Sequence, residues 1–319
     1  MKKYKIVGPI TNFNSYWLQL LKGNIAFYFK EKSLPNSENS KFKLIEFADI
    51  ENYINEATDL FVLDSNSFES SKMCNIFEKC ALADVSVHKI DSRKDDFLTK
   101  YDNMLYEYDI PIISISSVNN DVMMPLLEVN INRKFSECGY KVLQYYSFGG
   151  GSVFGFYDTL ELLDNKDRTF ENQIIIINNR LQDAIKTHNP DIVVIGIPHA
   201  LFRKDTFDYK NIGVSAYVLS QSIDFDCNVQ LIGYGNYSLP ELKELSKYLK
   251  YRFEMDPNIF VVSNIYTMQT SDDDIPFYEM GVIDSNSVKK LASVLNKNVR
   301  IYDMSNSEMI YKKICECLQ

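Results

Sequence analysis

Three groups of residues in this chain could carry chemistry: Ser117, Asn119, Asn120 and Asp121 within ISISSVNND, Gly149, Gly150 and Gly151 within SFGGGSV, and His199 within IGIPHALF. A hydroxyl, two amides and a carboxylate within five residues can orient a ligand through hydrogen bonds. Consecutive glycines can turn backbone N–H groups toward an anion, as nests do, or can form a plain flexible turn. Imidazole titrates near neutral pH, so His199 suits a general base or a ligand contact. No cysteine, serine or second histidine is visibly paired with it, which favours a hydrogen-bonded loop histidine.

The elements that must hold these groups are legible between Ile110 and Phe156. Ile110–Ser116 is a short apolar, β-branched run of the kind buried on both faces of a parallel sheet. Ser117–Asp121 is a polar loop. Asp121 is placed to cap the following helix, with Pro125 in its first turn. Leu126, Leu127, Val129, Ile131 and Phe135 form a helical apolar stripe, and Gly139 suits a left-handed end. Lys141–Ser147 is the next strand, and the glycine triplet turns after it. In doubly wound sheets ligands bind at the carboxyl ends of strands, beside helix N-termini, which is where Ser117–Asp121 falls. A nucleoside triphosphatase carries GxxxxGK[ST] at this place. This chain has SSVNNDVMM, with no glycine, no lysine and a carboxylate that repels phosphate, which argues against ordinary ATP hydrolysis.

The remainder reads as alternating strands and helices. Strands are expected at Tyr4–Gly8, Asn24–Phe29, Lys41–Phe47, Leu60–Leu63 and Val85–Ile90, with helices from Asp49 to Ala57, over Ser70–Ala83 and over Lys94–Leu105. That alternation predicts a Rossmann-like domain over residues 1–105, whose polar strand end Asp64–Ser67 reads as an ordinary loop. Residues 106–319 form the second domain. Helices are expected over Phe170–His188, Asn211–Ser222, Ser238–Phe253, Ser285–Leu295 and Asn306–Leu318, and strands over Asp191–Ile197, Val229–Tyr234, Asn258–Ser263 and Val299–Tyr302. The fold class is α/β: a Rossmann-like domain followed by a doubly wound P-loop-NTPase-like domain lacking the Walker A motif.

Composition narrows the function. The 319 residues carry a net charge of −9, which disfavours a general nucleic-acid binder. No apolar stretch approaches the roughly 18 residues of a membrane span, and MKKYKIVGPITNF lacks the apolar core of a signal peptide. Six cysteines at 74, 80, 138, 227, 315 and 317 show no metal-finger spacing and read as reduced thiols of a cytoplasmic protein. The acidic run Ser271–Asp274 could attract a divalent cation, but three adjacent aspartates do not face one point, so it reads as an exposed loop. The sequence names no cofactor. Its 21 tyrosines and 20 phenylalanines allow a homodimer without naming an interface.

The segments PIISISS, NRKFSECGYKV, SFGGGSVFGFYD, PDIVVIGIPHALF and VQLIGYGNYSLPELKELSKYLKYRF carry a resemblance over residues 105–265. They resemble the clostridial peptide maturation system proteins, found beside radical SAM enzymes in clusters for ribosomally made peptides. The resemblance implies a P-loop-like second domain with a lost nucleotide loop, and an accessory role in binding a precursor peptide or a partner maturation enzyme. It supplies no catalytic residue. The alternative expectation is an enzyme that binds a small molecule or nucleotide in the cleft at the carboxyl ends of the second domain's strands. Ser117, Asn119, Asn120, Asp121, Gly149, Gly150, Gly151 and His199 are the candidate ligand contacts there.

Overall fold

The structure is a computed structural model that describes residues 4–10, 25–29, 43–46, 50–62, 70–89, 104–119, 123–163, 169–202, 213–235, 237–269, 278–295 and 300–319. The chain divides into two compact units, Met1–Asp95 with Ser152–Gly155, and Asp96–Gly151 with Phe156–Gln319.

The first unit contains β1 (Tyr4–Ile10), β2 (Ile25–Phe29), β3 (Lys43–Glu46), α1 (Ile50–Tyr53), β4 (Ala57–Val62), α2 (Ser70–Leu82) and β5 (Ser86–Lys89). The strands form one parallel sheet in the order β3-β2-β1-β4-β5, in which the chain winds out one way from β1 and then the other. This is the Rossmann-like order expected of the alternating pattern. Ile6, Leu60 and Val62 from the strands pack with Ile50, Ile54, Ile76 and Cys80 from the helical segments. The polar strand end Asp64–Ser67 lies outside the described residues, as does most of the helix expected over Lys94–Leu105. Met104 and Leu105, at its expected end, are not helical.

The second unit runs β6 (Ile112–Ser117), α3 (Met124–Glu137), β7 (Val142–Tyr146), β8 (Tyr157–Asp158), α4 (Thr159–Leu163), α5 (Phe170–His188), β9 (Ile192–Ala200), α6 (Val214–Ser222), β10 (Cys227–Ile232), α7 (Leu239–Phe253), β11 (Ile259–Val262), β12 (Ile265–Gln269), β13 (Tyr278–Val282), α8 (Ser285–Leu295), β14 (Ile301–Asp303) and α9 (Ser307–Cys317). Seven strands form a parallel sheet in the order β14-β11-β10-β6-β9-β7-β8. Every residue of β6, β10 and β11 is buried, because helices cover both faces. Met124, Leu127, Ile131 and Phe135 of α3 join Ile310 and Ile314 of α9 against Ile113, Ile115, Val229 and Val261 on one face. Ile177 and Leu181 of α5, Leu219 of α6 and Phe253 of α7 cover the other, over Val193, Ile195 and Ile197.

A buried polar ladder pins the centre of the sheet. Ser114 Oγ donates to Asn228 Oδ1 at 2.6 Å and Ser116 Oγ to Gln230 Oε1 at 2.8 Å, while Gln230 Nε2 returns a bond to the Ser116 carbonyl at 3.1 Å. A slip of one residue would bury all four side chains against apolar neighbours and leave them unpaired, so the ladder selects the β6–β10 register.

Local rules explain the covering helices. Thr169 caps α5, whose end falls at Asn189 in a left-handed conformation. Ser238 and Glu241 form a reciprocal capping box at the start of α7. Asn178 of α5 accepts from Tyr106 N at 2.7 Å and donates to the Tyr106 and Ser222 carbonyls, tying the entry to this unit onto α5. The N-cap of α3 falls on Met123, two positions past Asp121, and makes no side-chain cap bond; Pro125 lies in the first turn as expected. The antiparallel pair β12–β13 was not anticipated, and the acidic run between them lies outside the described residues. Among the described residues, no helix is long and apolar enough to cross a membrane.

Candidate functional site

The carboxyl ends of β6, β9 and β7 are neighbours in the sheet and place most of the chain's polar candidates on one side. Ser117 is the last residue of β6 and is buried; its hydroxyl donates to the Asn119 carbonyl, closing the first turn of the loop, and Asn119 is exposed beyond it. Asn120 and Asp121 lie outside the described residues.

Beside this turn, β9 departs from regular pairing. Ile115 pairs with Gly196 and Ser117 with Ala200, so two steps along β6 match four along β9. The extra residues form a bulge at Ile197–His199, and His199 carries a φ of +67°. The left-handed region costs a side-chain-bearing residue roughly 1–2 kcal/mol. Pairing resumes after the bulge, where Leu201 N donates to the Ser117 carbonyl and Phe202 N to the Val118 carbonyl, each at 3.1 Å. The strand pairing on both sides thus holds the histidine in its strained conformation. His199 is half-buried, and burial lowers its pKa, so the imidazole is neutral at neutral pH and can accept a proton or a hydrogen bond.

Behind the bulge is a buried acid. Glu128 lies on α3 in the same stripe as Met124, Ile131 and Phe135, and is fully buried. Ser147, just past β7, donates to its carboxyl twice, from the backbone N–H to Oε2 at 3.0 Å and from the hydroxyl to Oε1. Gly196 makes room for it, because a Cβ there would lie 2.4 Å from Glu128 Cδ. Desolvation pushes the Glu128 pKa up to about 8; the Ser147 bonds oppose this, and Asp158 adds to it. The group is therefore a neutral carboxylic acid at pH 7.

The glycine triplet faces the same acidic region. Gly149 is exposed, while the N–H groups of Gly150 and Gly151 donate to Asp158 Oδ2 at 3.2 Å and Oδ1 at 2.7 Å. The N–H groups that a nest could offer to an external anion are taken by the chain's own carboxylate. A Cβ on Gly151 would lie 2.7 Å from Asp158 Oδ1, so the approach requires glycine. Burial raises the Asp158 pKa and the two N–H bonds lower it. Next along the chain, Thr159 Oγ1 donates to the Gly196 carbonyl at 2.7 Å. Tyr146 is buried beside both acids, and its hydroxyl pKa is driven up by burial first and by Glu128 and Asp158 next.

The structure therefore sets Ser117 beside the His199 bulge and gathers Gly150 and Gly151 around Asp158, with Glu128 against Gly196 between the two. Glu128, Ser147, Asp158 and Thr159 were not among the candidate ligand contacts expected from the sequence. The available signals were a carboxylate inside the apolar stripe of α3 and an aspartate close behind a glycine triplet. The chemistry on offer is proton exchange and hydrogen bonding around a neutral imidazole and a neutral carboxylic acid. Among the described residues, no group of three or more histidine, cysteine or acidic side chains could hold a metal ion.

No protein-family model matches this chain, and no curated protein matches it by sequence. Among solved structures, a DUF1611 family protein from Anabaena variabilis ATCC 29413 is similar with a TM-score of 0.61 and 8% identity, covering 99% of this chain and 100% of that one. A plasmid partition protein from Borrelia burgdorferi has a TM-score of 0.40 at 12% identity, over 65% of this chain and 99% of that one. Chloroplast FtsY from Physcomitrella patens has a TM-score of 0.31 at 14% identity, over 52% and 53% of the two chains. The first likeness is one of fold, at an identity that says nothing of activity.

Proposed function

We propose that the second unit is a ligand-binding module working without nucleotide hydrolysis, which holds a small molecule or peptide group lacking phosphate at the carboxyl ends of β6, β9 and β7. The observation that carries this reading is the His199 bulge. A strained, half-buried, neutral imidazole is held at the ligand end of a doubly wound sheet, beside the loop where a phosphate-binding motif would stand. The surroundings fit the same reading, since the nest is occupied by Asp158 and the buried Glu128 is neutral, an arrangement that favours hydrogen-bonding groups over phosphate.

The biological setting we propose is the maturation of a ribosomally synthesised peptide in the cytoplasm, with this protein as an accessory factor for the precursor or for a maturation enzyme. The support is the set of segments from PIISISS to VQLIGYGNYSLPELKELSKYLKYRF that resemble clostridial peptide maturation proteins. Thermal unfolding in the presence of Mg-ATP, Mg-GTP or the precursor peptide tests both parts, because a ligand that binds the native state raises Tm by mass action. A rise with peptide and none with nucleotide is expected. A rise with nucleotide that survives His199→Ala refutes the site assignment.

A further inference from the structure

The edge of the seven-stranded sheet at β14 holds a cavity that the site at β6, β9 and β7 does not use. Its volume is about 430 Å³, and it opens between α8, the carboxyl end of β14 and the turn into α9. Ile301 and Asp303 are two residues apart in β14, so they share a face of the strand. That face is the one α8 covers, because Ile301 packs with Val288 and Leu295. Lys289, Ala292 and Ser293 stand at i, i+3 and i+4 of α8, on one stripe of the helix, and form the facing wall. Ala292 is buried there and brings only a methyl group.

The cavity gathers two opposite charges that do not meet. Asp303 is only 7% exposed. Its Oδ1 accepts from Ser305 N at 3.1 Å and from the Ser305 hydroxyl, while Asn306 N donates to its carbonyl at 3.0 Å. The carboxylate is thus fixed in place, yet its Oδ2 takes no hydrogen bond among the described residues. Buried polar atoms are ordinarily paired, so this oxygen is set toward something else. On the opposite wall, Lys289 is exposed and makes no ion pair or hydrogen bond among the described residues. Lys134, Lys247, Lys250 and Lys313 each reach an acid. Asn306 gives its Oδ1 to Met309 N at 3.3 Å as the cap of α9, which leaves its NH₂ as a donor with no bond of its own.

We propose that this cavity binds a small zwitterion, an amino acid or dipeptide. Its ammonium pairs with Asp303 Oδ2, and its carboxylate with Lys289 and the Asn306 amide. A ligand with one charge would answer one wall and leave the other unmet. A phosphate would be repelled by Asp303, and a metal cation by Lys289. Ile301 and Tyr302 give the cavity an apolar side for the aliphatic part of such a ligand. The volume falls within the roughly 300–1,000 Å³ of small-molecule sites. Because Ser305 already holds the acid, binding requires little reorganisation of it. The position also fits, since doubly wound sheets present ligands at the carboxyl ends of their strands. Nothing in this assignment depends on His199.

The test begins with thermal unfolding of the full chain in millimolar amounts of each common L-amino acid and of the dipeptide each forms with alanine. At least one should raise Tm by mass action, and which series does so fixes the length of the ligand. Calorimetry then compares the best of these with its N-acetyl form, which lacks the ammonium, and its carboxamide, which lacks the carboxylate. Each blocked form should bind about tenfold more weakly or worse. Asp303→Asn keeps an Oδ1 for Ser305 and should bind the free zwitterion as weakly as the native protein binds the N-acetyl form. Lys289→Gln should erase the preference for the free carboxylate over the carboxamide. Both variants should unfold like the native protein when no ligand is present. No rise in Tm with any of these compounds overturns the proposal, as does an affinity indifferent to either substitution.

Discussion

Glu128→Gln should make this protein more stable at pH 8 while leaving its stability near pH 5 almost unchanged. Burial holds the native carboxyl near pH 8, against an ordinary value of 4.5. A carboxyl whose folded pKa is raised contributes its full stability below the unfolded value and loses it as the pH climbs toward the folded one. Across that window the unfolded chain releases the proton and the native protein keeps it. At about 1.4 kcal/mol per pKa unit, one such group costs roughly 3–4 kcal/mol between pH 5 and pH 8, as a ceiling. Glutamine has almost the same shape and no proton to lose. Its amide oxygen can take the Ser147 N–H and its NH₂ can donate to the Ser147 hydroxyl, so both contacts of the acid survive. Asp158, also raised by burial, is common to both proteins, so their difference isolates Glu128. The assay is urea unfolding followed by far-UV circular dichroism at intervals from pH 5 to pH 8. The native protein should lose stability along this series and the variant should hold level, with the curves meeting near pH 5. Parallel curves would refute the claim that Glu128 is held neutral, and a variant weaker by the same amount at every pH would mark the acid as an ordinary structural tie.

Two further substitutions probe the same region. Gly196→Ala places a Cβ 2.4 Å from Glu128 Cδ and should cost about 1–3 kcal/mol. Glu128→Ala in the same chain should recover part of that loss, with a coupling above about 1 kcal/mol in a double-mutant cycle; strict additivity would mean the two do not press on each other. His199→Gly relieves the left-handed strain and should raise the urea midpoint, by about 1 kcal/mol of stability, while weakening ligand binding. A lower midpoint would mean the imidazole contributes more to folding than its backbone costs.

Much of the framework was legible in the sequence because local signals and tertiary context agreed. The helices at Phe170–His188 and Ser285–Leu295 fall within the bounds expected of them, and α7 starts next to Ser238, where the helix was expected to begin. Agreement failed where a residue's type misled. A glutamate within a helix is ordinarily read as solvated, so Glu128 passed unnoticed although it shares a stripe with Ile131 and Phe135. The glycine triplet was legible as either a nest or a plain turn, and the carboxylate it holds was not legible, because Asp158 reaches it only through the short strand β8 that follows the turn. His199 was singled out by its place after a clear strand, while its strain comes from a register shift against β6 that depends on pairing between strands far apart in the chain. The β12–β13 pair stands apart from both parallel sheets, and alternation of strand and helix offers no cue for it.

The measurement that bears most directly on the ligand site is isothermal titration calorimetry of the full chain with the precursor peptide and, separately, with Mg-ATP, using the native protein and His199→Ala. The account predicts a binding isotherm with the peptide, an affinity at least tenfold weaker in the variant, equivalent to about 1.4 kcal/mol, and no heat of binding with Mg-ATP. Saturable Mg-ATP binding together with peptide affinity indifferent to His199 would contradict it.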